Sequence, residues 1–319
     1  MPLPVIPLLL GGAGLFGAGK LAGAYVDNDD ARKINLEARD LTIFGENLME
    51  DAQKYTKSAL ESLGKKKTQV LSTSIKTFVD LFSQIHNIDF NAPSSMDESG
   101  KFQLDKSSFD GLRELSSVSM TLTNASMNAL AAFGAYGAAS MLGLPSAGAA
   151  ITALTGLTAN STLAFLTGGS LAASVSSVLG GLVTAPVLAV LGFCLESSAA
   201  RNLEDAKSNK AQALRFAKEV EAGTSLCNGI RKMSYLYARI LMRLDAMLCD
   251  ANNGMSQAIR AHGTDYRTFT PDEKKTIAVA ASLAKAVKTI LDTPILTEDG
   301  NLTPESLNAA NSVRAALPA

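Results

Sequence analysis

From Leu115 through Leu195 the chain carries no Asp, Glu, Lys or Arg, a run of 81 residues. Helices on the surface of a soluble domain keep a charged face toward water, so a stretch that lacks one belongs in a core or in a membrane. All 29 Lys and Arg and all 30 Asp and Glu fall in the other 238 of the 319 residues. That is an ordinary density for soluble protein, ~25%. The chain is therefore composite, with soluble flanks around a charge-free middle, and its length allows one or two domains of ~100–200 residues. Intrinsic disorder is excluded, because it requires low hydrophobicity with high net charge, whereas 47% of residues are hydrophobic and the net charge is −1. The basic residues do not pool into a stripe, which argues against nucleic acid as a partner.

Punctuation divides the middle into about 117–143, 147–167 and 170–195, with breaks at Pro145 and Gly168-Gly169. Three spans of ~20 residues with turns fit this length only tightly. Ala, Gly, Ser and Thr outnumber Leu, Ile, Val and Phe, so each helix is only mildly hydrophobic but suited to close packing. One small-residue ladder runs Gly169, Ala173, Ser177, Gly181, Ala185, Ala189, and another runs Ala131, Ala135, Ala139, Gly143. Pro186 predicts a kink, since it removes one backbone donor. Gly134, Gly137, Gly143, Gly169, Gly181 and Pro186 are the expected packing and kink positions.

The N-terminal stretch PLPVIPLLLGGAGLFGAGKLAGAYV (2–26) holds two phosphate-loop lookalikes, Gly12-x-Gly14-x-x-Gly17 and Gly14-x-x-x-x-Gly19-Lys20. Leu21 stands where the second motif needs a hydroxyl for magnesium, and no strand–helix alternation follows. A small-residue helix is the better reading. Gly17, Gly19 and Gly23, the first spaced four from Ala13 and the last two from each other, let a neighbouring helix come close. No Lys or Arg precedes the apolar run, which argues against a signal peptide.

The flanks read as long helices with four–three seams. In the first, Ile34, Ala38, Leu41, Gly45, Leu48, Ala52, Tyr55 and Ala59 alternate large with small residues, a pattern suited to antiparallel packing. Gly64 and Lys65-Lys66-Lys67 mark a break or a C-terminal cation cluster. A second seam follows at Leu71, Ile75, Phe78, Phe82 and Ile85, then a loop over 87–107 with helix resuming near Ser108. In the other flank the seam is Leu226, Ile230, Met233, Tyr237, Ile240, Leu244 and Met247, and Asn252-Asn253-Gly254 reads as a turn. Thr270-Pro271-Asp272-Glu273 is a helix start with a capping box. Glu298-Asp299-Gly300-Asn301 is a turn between Ile295-Leu296-Thr297 and Leu302. The segments are thus 1–26, a Gly-rich hydrophobic helix; 27–114, a helical arm; 115–195, the uncharged hairpin region; 196–265, a long helical arm; and 266–319, a small helical cap.

Few residues are available for chemistry. Cys194, Cys227 and Cys249 have no zinc or disulfide spacing. His86 and His262 have no second ligand at i+3 or i+4, so no metal and no cofactor is expected. No catalytic constellation is present, and a non-enzymatic role follows. If the two seamed flanks pack together, both lie on one side of any membrane, and the middle crosses it an even number of times.

The segments AAFGAYGAAS (131–140), LAFLTGGSLAAS (163–174) and LGGLVTAPVLAVLGF (179–193) resemble a group of bacterial proteins of unassigned function with a Gly/Ala-rich hydrophobic hairpin between helical arms. TFTPDEKKTI (268–277) and ILDTPILTEDGNLTPES (290–306) are similar to their C-terminal ends. More remotely, the plan resembles α-helical pore-forming toxins and the apolipoprotein-L type. The resemblance implies an all-α protein whose partners are a lipid membrane and further copies of itself or a helical partner subunit. It implies a bacterial inner-membrane location with the arms in the cytoplasm, or a secreted soluble form, and a role in defence or competition. Fold likeness alone does not fix function.

Overall fold

A computed structural model describes residues 28–88, 106–138, 203–297 and 301–316. The fold over these residues is all-α, as the sequence predicts, with two isolated β-bridges and no strand among them. Helix α1 is Asn28–Val70, continued by a π-helical turn at Leu71–Ile75 and by α2, Lys76–Phe82. Then come α3 (Lys106–Thr123), α4 (Met127–Tyr136), α5 (Leu203–His262), a 3-10 turn at Tyr266–Thr268, α6 (Pro271–Asp292) and α7 (Pro304–Ala316). The described residues fall into two compact units, 28–52 with 203–226, and 53–138 with 227–316.

The seam of α5 runs without a fault from one end to the other. Ala206, Asn209, Ala213, Phe216, Val220, Gly223, Cys227, Ile230, Ser234, Tyr237, Leu241, Leu244, Leu248, Ala251, Met255 and Ala258 are all buried, spaced three and four in strict alternation. Such a repeat keeps one stripe facing a partner along a whole helix. Of the inward positions expected from sequence, Leu226, Met233 and Met247 give way to Cys227, Ser234 and Leu248, each one residue on, while Ile240 is buried beside Leu241. Asn252, Asn253 and Gly254 lie inside α5 and are not a turn. Asn252 is buried, and its amide donates to the Ser74 carbonyl at 2.9 Å.

On α1 the small half of the expected seam is correct and the large half is not. Ala38, Gly45, Ala52 and Ala59 are buried, but their partners are Thr42, Met49 and Thr56, while Leu48 and Tyr55 are each 38% exposed. The threonines tolerate burial because each hydroxyl is used. Thr42 donates to the Ala38 carbonyl at 2.9 Å and Thr56 to the Cys227 carbonyl at 3.2 Å. Small inward residues bring α5 close, and a Cβ on Gly45 would stand 2.9 Å from Phe216 Cε1. The outcome is an outward stripe of Leu36, Ile43, Phe44 and Leu48.

The two long helices run parallel, where the seam suggested antiparallel packing. In the first unit Asn209 donates to Asn35 at 3.0 Å, and Lys210 pairs with Glu37 at 2.5 Å. In the second, Thr56 meets Cys227, Lys66 pairs with Asp245 at 3.1 Å, and Ser74 meets Asn252. Residue numbers rise together on both helices in each unit. Gly64 and the lysines after it do not end α1, which continues to Val70. Lys66 and Lys67 both turn inward, each to its own acceptor.

The second seam forms as expected, with Leu71, Ile75, Phe78, Phe82 and Ile85 all buried. Phe109 of α3 stacks edge-on to Phe78 at 6.3 Å and lies 5.1 Å from Phe82. The Thr270 capping box is present: Thr270 Oγ1 accepts from the Glu273 amide, and Glu273 accepts from the Thr270 amide at 2.8 Å. Glu273 also reaches His262 Nε2 at 3.3 Å, joining the end of α5 to the start of α6. Leu296 and Leu302 form a bridge, and the Thr297 amide donates to the Asn301 carbonyl at 2.9 Å, while residues 298–300 of the expected turn lie outside the described residues.

Glycine substitutions separate two kinds of contact. A Cβ on Gly64 would meet the backbone oxygen of Leu130 in α4 at 1.9 Å, which no side-chain rotation relieves. Gly64→Ala is expected to cost about 3 kcal/mol by overpacking. Gly45→Ala meets only side-chain atoms, the Phe216 ring and Val220 Cγ2 at 3.3 Å, and recovers helix propensity, so a net change under about 1 kcal/mol is expected. Urea midpoints at constant m-value measure both.

Candidate functional site

The uncharged stretch enters the described structure as the end of α3 and all of α4. A break at 124–126 splits the segment expected over 117–143, and Ser126 caps α4 by accepting from the Ala129 amide at 3.2 Å. Every residue from Ala129 to Tyr136 is buried. Within the described residues this part of the stretch is a core helix.

A buried helix end needs partners for its last carbonyls. For α4 they come from the charged arms. Lys67 of α1, fully buried, donates from Nζ to the Phe133 carbonyl at 3.3 Å and to the Gly134 carbonyl at 3.2 Å. Its ammonium also lies 5.5 Å from the Phe133 ring centre. The Ala135 carbonyl accepts from the Ile295 amide at 2.7 Å and from the Leu296 amide at 3.2 Å. A cation at a helix C-terminus meets the negative end of the helix dipole, and buried geometries strengthen that term.

The electrostatics are unfavourable in detail. Burial lowers the Lys67 pKa from 10.5 to about 7, and the charge of Asp292 opposes the fall without reversing it. Asp292, the last residue of α6, is itself raised by burial, against the pull of Lys288 and Lys67. One oxygen, Oδ2, pairs with Lys288, while Oδ1 is buried without a hydrogen-bond partner. For both groups desolvation outweighs attraction, as is usual for buried ion pairs.

Two glycines make the approach of α4 to α1 possible. Gly64 faces the Leu130 carbonyl, and a Cβ on Gly134 would stand 2.3 Å from the Leu60 oxygen and 3.3 Å from the Gly64 nitrogen. Gly137 has φ +76°, and a Cβ there would meet the Leu291 oxygen at 2.5 Å. It turns the chain past the end of α6. Of the positions predicted from sequence, Gly134 and Gly137 are thus contacts of α4 with α1 and with the α6 terminus. Gly17, Gly19, Gly23, Gly143, Gly169, Ala173, Ser177, Gly181, Ala185 and Pro186 lie outside the described residues.

No family model, curated protein or solved structure matches the chain. The resemblance to hairpin-bearing bacterial proteins therefore stands on the quoted segments alone. Among the described residues no group of His, Cys, Asp and Glu could hold a metal ion, and no helix is long and apolar enough to cross a membrane. Cys227 is buried, its thiol pKa raised mainly by that burial, and Cys249 is exposed.

Sequence reasoning missed Lys67, Gly64 and Asp292. A signal for Lys67 existed: it lies four residues after Leu63 and three before Val70, both buried, so the inward stripe of α1 passes through it.

The lysine sets a pH dependence. Its folded pKa, about 7, lies below the unfolded 10.5, so between these values the unfolded chain holds more protons and stability rises with pH. The gain is absent below about 7 and complete above about 10.5. Lys67→Met removes the group, so the wild-type-minus-variant stability difference should rise between pH 7 and 10 by up to about 1.4 kcal/mol per unit. Denaturation at stepped pH measures it, and a flat difference would show that Lys67 is not held in a desolvated site.

Proposed function

We propose that this is a non-enzymatic protein that oligomerises through its helical arms and inserts its uncharged stretch to perturb or permeabilise a membrane. The observation that carries the reading is the 81-residue charge-free run joined to charged helical arms. Its first helix has no charged side chain and draws the donors at its C-terminal end from those arms. A chain built only for a soluble core has no need to clear both signs of charge from a quarter of its length.

Two features of the fold support parts of this reading. The arms pack together and run parallel, which supports the premise that both lie on one side of a membrane. On this reading the remainder of the stretch, after Ala138 and through Leu195, enters and returns, so an even number of crossings follows. The outward stripe of Leu36, Ile43, Phe44 and Leu48 supports contact between the arms of two copies. A bacterial inner-membrane site with cytoplasmic arms, and a role in defence or competition, follow only from the resemblance.

A second reading, a membrane scaffold or tether without leakage, draws support from α4 itself, which is packed in the arms as core. Size-graded dye release from anionic liposomes separates the two. Stepwise, size-limited release is expected for a pore. Flotation with the liposomes but no release would favour the scaffold, and neither release nor flotation would sink both.

Gly181 lies on the small-residue ladder of the stretch. Gly181→Leu should block close helix approach and abolish release while circular dichroism keeps the wild-type helicity. Full release by this variant would count against the ladder.

A further inference from the structure

The contact that holds α4 is made in an unusual way. At its closest approach to α1, Gly64 and Gly134 are in backbone-to-backbone contact, beside the buried Leu130 and Phe133. Its polar anchor is a lysine buried among apolar residues, 5.5 Å from a phenyl ring centre and donating to two carbonyls. Desolvating that ammonium offsets part of what its two hydrogen bonds contribute, while removing it alone would leave the buried Phe133 and Gly134 carbonyls without this donor. One turn beyond Lys67 the α1 helix opens into the π-helical turn Leu71–Ile75, a geometry that concentrates at functional sites. The charged groups near the anchor are Asp292 and Lys288 of α6, and one oxygen of Asp292 is unsatisfied. Desolvation of the ammonium and of the Asp292 carboxylate therefore works against the hydrogen bonds that hold the end of α4.

We propose that the Lys67 cap and the Gly64–Gly134 contact form an autoinhibitory latch that keeps the first helix of the uncharged stretch in the bundle until it is released to the membrane. This inference rests on the membrane-inserting reading above and names how that activity is restrained. Each donor of the latch lies outside the uncharged stretch: Lys67 on α1, and the Ile295 and Leu296 amides in the turn after α6. Opening therefore requires only that α4 leave. The arms keep their own seam, since α5 packs on α1 through other residues.

The test uses the full chain and two variants that loosen α4 by different routes. Lys67→Met keeps the volume and removes the donor. Gly134→Ala places a methyl 2.3 Å from the Leu60 oxygen and pushes α4 away from α1. Amide hydrogen exchange without lipid is read at 129–136 and, as a control for folding, at 230–255. Dye release from anionic liposomes is then titrated against protein. Both variants should lose at least tenfold of the α4 protection, keep that of α5, and release dye at a several-fold lower protein:lipid ratio. If the wild type releases dye and the variants, with α4 loosened, release no more readily, the latch is wrong and the membrane reading stands. If α4 keeps its protection in both variants, the contact is not what holds it, and the latch is again wrong. If neither wild type nor loosened variants bind or permeabilise liposomes, the membrane reading falls and the latch with it. Release by the variants alone would establish the latch most directly.

Discussion

The C-terminal carbonyls of α4 must find donors in surroundings with little water, and much of the second unit is arranged to meet that demand. A buried unpaired carbonyl costs roughly 1–3 kcal/mol, and α4 brings no polar side chain to its last turn except Tyr136. Lys67 supplies one donor from α1, and the turn after α6 supplies two backbone amides. That turn is held in place by Thr303, whose hydroxyl donates to the Pro294 carbonyl at 2.5 Å and whose amide donates to Ile295 at 2.9 Å. Ser306, on the next helix, receives the Tyr237 hydroxyl at 3.0 Å, which ties the same turn to the seam of α5. The chain of bonds runs from α5 through α7 and the turn to the end of α4.

Much of this was legible, and what was not has identifiable causes. The capping box at Thr270 could be read because it is local: four residues specify the bonds. The seams of α1 and α5 were legible in period but not in phase. On α1, Leu41, Leu48 and Tyr55 compete with Thr42, Met49 and Thr56 for the same stripe, and hydrophobicity favours the first set. The structure buries the second, with Thr42 donating back to the Ala38 carbonyl of its own helix and Thr56 to the Cys227 carbonyl of the parallel α5. Neither the phase nor the direction of packing is encoded in one helix alone. Gly64 looked like a helix end because glycine usually terminates a helix when it follows the last periodic residue. Its use here, as the landing point of another backbone, depends on a residue 66 positions away in sequence, Leu130. Lys67 was hidden for a related reason. Three consecutive lysines read as a solvated cluster, and only the continuation of the stripe past Gly64 sets the third one inward.

The positions singled out in the uncharged stretch divide along the same line. At Gly134 the close approach is to α1 of the arm, outside the stretch. A ladder read within one segment names the residues that approach a neighbour without naming the neighbour. The remaining ladder positions, from Gly143 to Pro186, fall outside the described residues, so the principle rather than the pairing carries over to them.

The placement of the anchoring charge matters on the proposed reading. A helix cap could have been built with a lysine on α4 itself, in its own last turn, where it would also satisfy the dipole. Such a residue would travel with the helix, and a Lys at the centre of a bilayer-spanning helix costs about 2.5–3.5 kcal/mol on insertion scales. With the cation on α1 and the carboxylate on α6, the cap is made wholly from the charged flanks. When α4 departs, the ammonium regains water and its ordinary pKa, and no charge follows the helix. The same separation lets the described part of the uncharged run, as far as Ala138, remain free of charge and still be held in the bundle. Its polar requirements are met from outside, by groups that stay behind.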